Sequence, residues 1–312
     1  MSPTKFNVGG QAVLEGVMMR SPGALAVAVR KQNGEVAVKE APWRSLSAKY
    51  KFLTWPFLRG VVVLIESLYN GIEALAYSAN QAMEEETDEK MGTFTLTMTI
   101  IVSLGFAVLL FVVAPHYLSL LFGRWGPVDY NVKSLAFHAV DGVLKLAVFI
   151  AYIWLISLIK DIKRVFQYHG AEHMSIYAYE AGRELTVENA REFSTLHPRC
   201  GTAFLIVVLL ISILFFSLVF PFIAPRGPDQ GWAVHLFYVG LKLLMMLPIA
   251  GAAYEMNRWA SRHMDRWLPK LAVLPGMWVQ KFTTREPSDD QIEIALIALK
   301  KTLAIETAQS PS

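Results

Sequence analysis

The chain has 312 residues, 54% of them hydrophobic and only 18% charged, against roughly 25% charged residues in an ordinary soluble protein. That balance excludes a typical water-soluble fold and points to a mainly α-helical membrane protein whose first partner is the lipid bilayer. The net charge of +3 is small and dispersed, so nucleic acid is not an expected partner, and the single cysteine, Cys200, excludes an intrachain disulfide.

Residues 1–50 read as a small cytoplasmic β unit. Residues 12–20, 24–30 and 35–39 are short β-favouring runs, and the last two flank Asn33-Gly34, a strong hairpin signal. Met1 to Gly10 lacks a continuous apolar core, so no cleavable signal peptide is expected. In the second segment, 51–92, residues 57–78 are apolar but interrupted by Arg59, Glu66 and Glu73, which predicts an interfacial or protein-packed helix. The acidic run at 84–89 reads as a solvated linker.

Residues 93–257 form the expected membrane domain. Thr93–Phe122, Ser134–Ile159, Gly201–Pro225 and Trp232–Ala253 each exceed the roughly 20 residues that a helix needs to cross a bilayer, giving four spans. The short segments between spans one and two, and between three and four, hold Arg124, Lys133 and Arg226. The 160–200 segment holds Lys160, Lys163, Arg164, Arg183, Arg191 and Arg199. By the excess of Lys and Arg on the inner side, this segment and both termini are expected in the cytoplasm. Within the spans, His138, Asp141 and Lys145 share a helix face and Lys242 sits near the middle of the fourth. A buried Asp141–Lys145 pair joining helices is the expectation, ahead of an ion path.

The 160–200 segment, read as a charged cytoplasmic loop, carries the chemistry. Three of the seven histidines and the only cysteine fall between 169 and 200. In "YHGAEHM", His169 and His173 would lie one turn apart on a helix, with Glu172 beside them. This HxxEH order matches inverted zinc peptidases, although Gly170 weakens a helix here by about 1 kcal/mol relative to Ala. His197 and Cys200 in "HPRCG" are the candidate further ligands for a divalent ion, Zn²⁺ by ligand type. Glu172 is the candidate general base. Glu255, at the cytoplasmic end of the fourth span, is either a further ligand or base, or a partner for Arg258.

Residues 258–312 form an expected interfacial tail, with Trp259, Trp267 and Trp278 among basic residues as an anchor. Ser288-Asp-Asp-Gln291 is a capping-box pattern that opens an amphipathic C-terminal helix.

Five motifs in order carry a resemblance over roughly residues 7–302: "GGQAVLEGVMMR" at 9–20, "FLRG" at 57–60, "YHGAEH" at 168–173, "HPRCGT" at 197–202 and "TTREPSDDQIEIA" at 283–295. Together they resemble the YqhQ-like family of bacterial membrane proteins, a domain of unknown function sometimes labelled a metal-dependent enzyme. The resemblance implies an inner-membrane location and puts that label on His169, Glu172, His173, His197 and Cys200. It also draws in Gln11, Glu15 and Arg20, which the β unit can bring over the site; the alternative for them is turn and strand-edge chemistry, with Gly9 and Gly10 supplying unusual backbone angles. Two functions stay open. One is a metal-dependent hydrolase at the cytoplasmic face; the other is a non-catalytic scaffold or assembly factor for other membrane proteins, with a structural metal site or none. Four protein ligands mark the structural case, three and an open position the catalytic one.

Overall fold

A computed structural model of the protein describes residues 6–82, 93–123, 134–219, 222 and 232–309. The acidic run at 84–89 and the basic residues Arg124, Lys133 and Arg226 lie outside the described residues.

Four antiparallel strands, β1 (Gly9–Val13), β2 (Gly16–Arg20), β3 (Ala24–Arg30) and β4 (Val36–Pro42), form a meander in sequence order. At the β3–β4 turn Gly34 takes φ +86° and the Asn33 side chain accepts the Glu35 N–H at 3.0 Å, as the Asn-Gly signal predicts. The run expected across 12–20 is instead a second hairpin. Leu14 and Glu15 form its turn, with Glu15 held at φ +50°.

This sheet is covered on both faces. Val17, Met19 and Ala28 face α6 (Lys160–Glu180) and α11 (Asp289–Gln309), while Val13, Met18, Leu25, Val27 and Val29 gather with Ala74 of α2 (Leu58–Ala82). Burial on both sides explains why β2 and β3 read as nearly continuous apolar runs without polar alternation. The C-terminal helix belongs to this core rather than to an exposed amphipathic surface. Ile292, Ile294, Ala295, Leu296, Ala298 and Leu299 are all buried, which spreads its apolar surface around the helix instead of along one stripe. At its start the Ser288 N–H donates to the Gln291 side chain at 2.9 Å, the reciprocal half of the expected capping box. At its far end Glu306 accepts from the Ser21 hydroxyl and the Gly23 N–H, both at 2.6 Å.

Among the described residues five helices are long and apolar enough to cross a membrane, against the four expected: α2; α3 (Thr93–Val108) continued by a π turn (Leu109–Val113) and α4 (Ala114–Gly123); α5 (Leu135–Ile156); α8 (Gly201–Leu218); and α9 (Trp232–Arg262). The additional one, α2, was expected as an interfacial or protein-packed helix. The π turn has a local cause: Pro115 has no N–H to donate and its ring crowds the carbonyl of residue 111, so the ladder slips by one residue. Between the bundle helices, Lys242 of α9 meets Asp141 of α5 at 2.7 Å and Lys145 meets the same oxygen at 2.8 Å. The expected Asp141–Lys145 pair therefore lies within one helix, and Lys242 is what joins two.

The described residues also include the short α7 (Val187–Arg191) and α10 (Trp267–Thr283), which crosses the first turns of α8. A four-residue turn at Leu46–Lys49, here α1, precedes α2.

Candidate metal centre

The 160–200 segment is a long helix with a return, not a loop. Buried residues from Tyr168 to Ala178 dock α6 against β1, β2 and α11. Gly170 is required by a backbone neighbour: a Cβ there would sit 2.2 Å from the Arg285 carbonyl oxygen. The segment after α10 runs along α6 at this point, with Arg285 N–H donating to the Phe166 carbonyl at 2.9 Å.

That helix puts His169 and His173 on one face, and Cys200, the N-cap of α8, reaches them from the return. One ligand atom from each of His169, His173 and Cys200 lies within 4.8 Å of the others, and His169 Nε2 is 3.1 Å from the Cys200 sulfur. Zinc bonds of about 2.0–2.3 Å place tetrahedral ligand atoms roughly 3.5 Å apart, so this donor set fits a metal. Both imidazoles are oriented through their other nitrogen. His169 Nδ1 lies 2.8 Å from the Thr283 carbonyl and His173 Nδ1 lies 2.5 Å from the Thr195 carbonyl. A donated Nδ1–H fixes Nε2 as the ligand atom on each ring.

His197 adjoins the group but faces away from it. Its Nδ1 accepts the Arg199 N–H at 3.2 Å, its Nε2 lies 3.6 Å from Glu180, and Gln280 of α10 holds its backbone N–H and carbonyl, both at 2.8 Å. Burial, then the neighbouring His173, lowers its pKa to about 4. Glu172 is buried under β1, where a Cβ on Gly10 would lie 2.7 Å from its Cγ. Among the described residues no hydrogen bond reaches its carboxylate, and burial raises its pKa while His173 and His169 pull it down. Burial opposes the charge on His169, but Cys200, then Glu172 and the Thr283 carbonyl, together outweigh it and lift the pKa to about 9; His169 in turn holds the buried thiol well below its ordinary value.

The other candidates are engaged elsewhere. Glu255 is held by Arg59, whose Nε donates to it at 2.6 Å and whose second nitrogen completes a bidentate pair. Glu15 pairs with Arg164 at 2.5 Å and accepts from the Tyr168 hydroxyl at 3.3 Å. Gln11 lies against Gly71 of α2, and Arg20 sits over Trp43 at 5.7 Å and in the field of Glu66. What the β unit brings over the site is Gly10. Neither Gly9 nor Gly10 takes a positive φ, so the expected unusual angles are replaced at Gly10 by a need for space. Sequence reasoning missed Thr195, Thr283 and Gln280. The first two act through backbone carbonyls and leave no side-chain signal, whereas a glutamine in an apolar helix was readable as a polar group needing a partner.

The family model described as "Protein of unknown function (DUF1385)" matches residues 55–305. The uncharacterized protein YqhQ of Bacillus subtilis (strain 168) is 30% identical over 313 residues, covering 96% of this chain and 92% of that protein. No solved structure gives a significant match. The alignment extends through the sheet, the bundle and the His/His/Cys group alike, and the chain belongs to the DUF1385 family.

Proposed function

We propose that this protein is a metal-dependent hydrolase of the bacterial cytoplasmic membrane, with His169, His173 and Cys200 as ligands and Glu172 as general base. The observation that carries the reading is the three-donor set with Glu172 beside it and His197 turned to Arg199 and Glu180. Three protein ligands leave a position for water, as in catalytic zinc sites. A divalent ion there supplies Lewis acidity and lowers the pKa of water at its open position. Thr195 and Thr283 hold the two rings in their tautomers, and Glu172, with no competing hydrogen bond, takes up the water proton and returns it to the leaving group.

Parity supports a four-span topology with both chain ends inside. The sheet, α6 and α11 share one core, so they lie on one side of any membrane. Two crossings between sheet and α6, by α3–α4 and by α5, satisfy this, and a third by α2 would not. The excess of Lys and Arg in residues 160–200 makes that side cytoplasmic.

A structural site is the second reading, favoured by the near-complete burial of His173 and Cys200, 2% and 6% exposed. X-ray absorption on zinc-loaded protein separates the two. One sulfur, two imidazoles and an oxygen support the hydrolase; a third imidazole, from His197, replaces it with the closed site.

A further inference from the structure

We infer that α10 is inserted in one leaflet without crossing the membrane and sets the metal centre at headgroup depth, so that the substrate is a membrane lipid cleaved in its headgroup region; the substrate class rests on the hydrolase reading above. The placement follows from packing and parity together. Gly276 of α10 meets Ala203 of α8 so closely that a Cβ would lie 2.5 Å away, and Val279 joins Ile206 and Ile153 in one apolar cluster. Ala203 and Ile206 are one and two turns inside the span that begins after Cys200, about 4.5 and 9 Å along its axis, so α10 lies against the apolar part of the bundle. Yet α6 and α11 share a core, and α8 and α9 already make the two crossings between them. A third by α10 would separate α6 from α11.

The outer face of α10 fits acyl chains continuous with those around α8. Trp267, Leu268, Leu271, Leu274 and Trp278 are exposed along it. Arg262, Arg266, Lys270 and Lys281 are exposed at its margins against a single acidic residue, Asp265, among residues 262–281, a balance that suits anionic headgroups. The same helix supplies the Thr283 carbonyl to His169 and the Gln280 clamp to His197. With Cys200 capping the first turn of α8, the ligands sit where the apolar span begins. A soluble substrate has no need of a site at that depth. Hydrolysis of a carboxylic or phosphoric ester there breaks one C–O or P–O bond. The water oxygen goes to the acyl or phosphoryl centre, and the proton taken by Glu172 goes to the departing alkoxide.

The test uses the full chain in bilayers of phosphatidylethanolamine and phosphatidylglycerol. Tryptophan quenching by acyl-brominated lipid and by aqueous iodide is compared between wild type and the W267F/W278F variant. The difference is expected to be quenched by bromolipid and at least fivefold less by iodide; the reverse overturns the placement. Lipid products are then followed by mass spectrometry beside a water-soluble short-chain ester. Zinc-loaded wild type is expected to cleave lipid at least tenfold faster than the soluble ester, with the activity lost in Glu172→Gln. Equal or preferential cleavage of the soluble ester, or cleavage of neither by zinc-loaded protein, overturns the substrate class. Wild type that binds no zinc removes the hydrolase reading and the lipid substrate with it, while the quenching result still decides where α10 lies.

Discussion

His169 Nδ1 lies 2.8 Å from the Thr283 carbonyl oxygen, 114 residues away in the chain, and this contact turns the opposite ring nitrogen toward Cys200. Under the proposed function, a histidine oriented in this way has its ligand geometry set before any metal arrives. Ligand and bystander are therefore separable by substitution. His169→Ala, His173→Ala and Cys200→Ser should each lower bound zinc at least tenfold, and His197→Ala should change it less than twofold, read by plasma mass spectrometry on protein in nanodiscs.

Zinc binding should release about one proton near neutral pH. His169, with its pKa raised to about 9, holds a proton below that value that the metal must displace, whereas Cys200, shifted well below its ordinary range, is already a thiolate. Affinity should accordingly climb by about tenfold per pH unit from neutrality and level off near pH 9, because only the deprotonated ligands bind. Calorimetry in buffers of different ionisation enthalpy counts the protons, and a flat pH profile contradicts the assignment.

Alanine at three glycines should rank by what it meets. Nothing lies within 4 Å at Gly9; at Gly10 the neighbour is the Glu172 side chain, and at Gly170 it is the Arg285 backbone. Gly9→Ala should be silent. Gly10→Ala should cost about 1–3 kcal/mol of overpacking and displace Glu172, lowering turnover while leaving zinc content intact. Gly170→Ala, facing an atom that cannot rotate aside, should destabilise most in a thermal-unfolding series.

In the bundle, Asp141→Asn leaves Lys145 and Lys242 without the carboxylate both of them contact, and should cost about 3–5 kcal/mol, the range for breaking a buried pair. Lys242→Met leaves the Asp141–Lys145 pair in place and should cost less. Unfolding in mixed micelles gives the order, and equal losses would argue against a shared carboxylate.

The long spans and the HxxEH spacing were legible because each is local: eighteen or more apolar residues in a row, or two histidines one turn apart. Partners distant in sequence were not. Glu255 suggests Arg258 three residues on, but its partner is Arg59, 196 residues away. The β1–β2 turn was hidden because Leu14-Glu15 contains neither glycine nor asparagine, so the strand pattern reads straight through it. The C-terminal helix looked like a surface tail because part of its circumference is polar, and only the sheet and α6 packed on it reveal how much is buried. For the candidate site, the nearness of His169, His173 and Cys200 could be anticipated from the sequence, and the carbonyls of Thr283 and Thr195 beside the two rings could not.

Glu306, tied to Ser21 and Gly23, also bears on how the protein is made. The unit that carries the site joins strands that precede the bundle in the chain, a helix from its middle and α11, which follows it. Its first hairpins must therefore wait through the synthesis and insertion of the bundle before α11 covers them. Truncation before Asp289 would remove one of the two helices that cover this face and leave part of it bare, and degradation of such fragments in the cell is the expected fate.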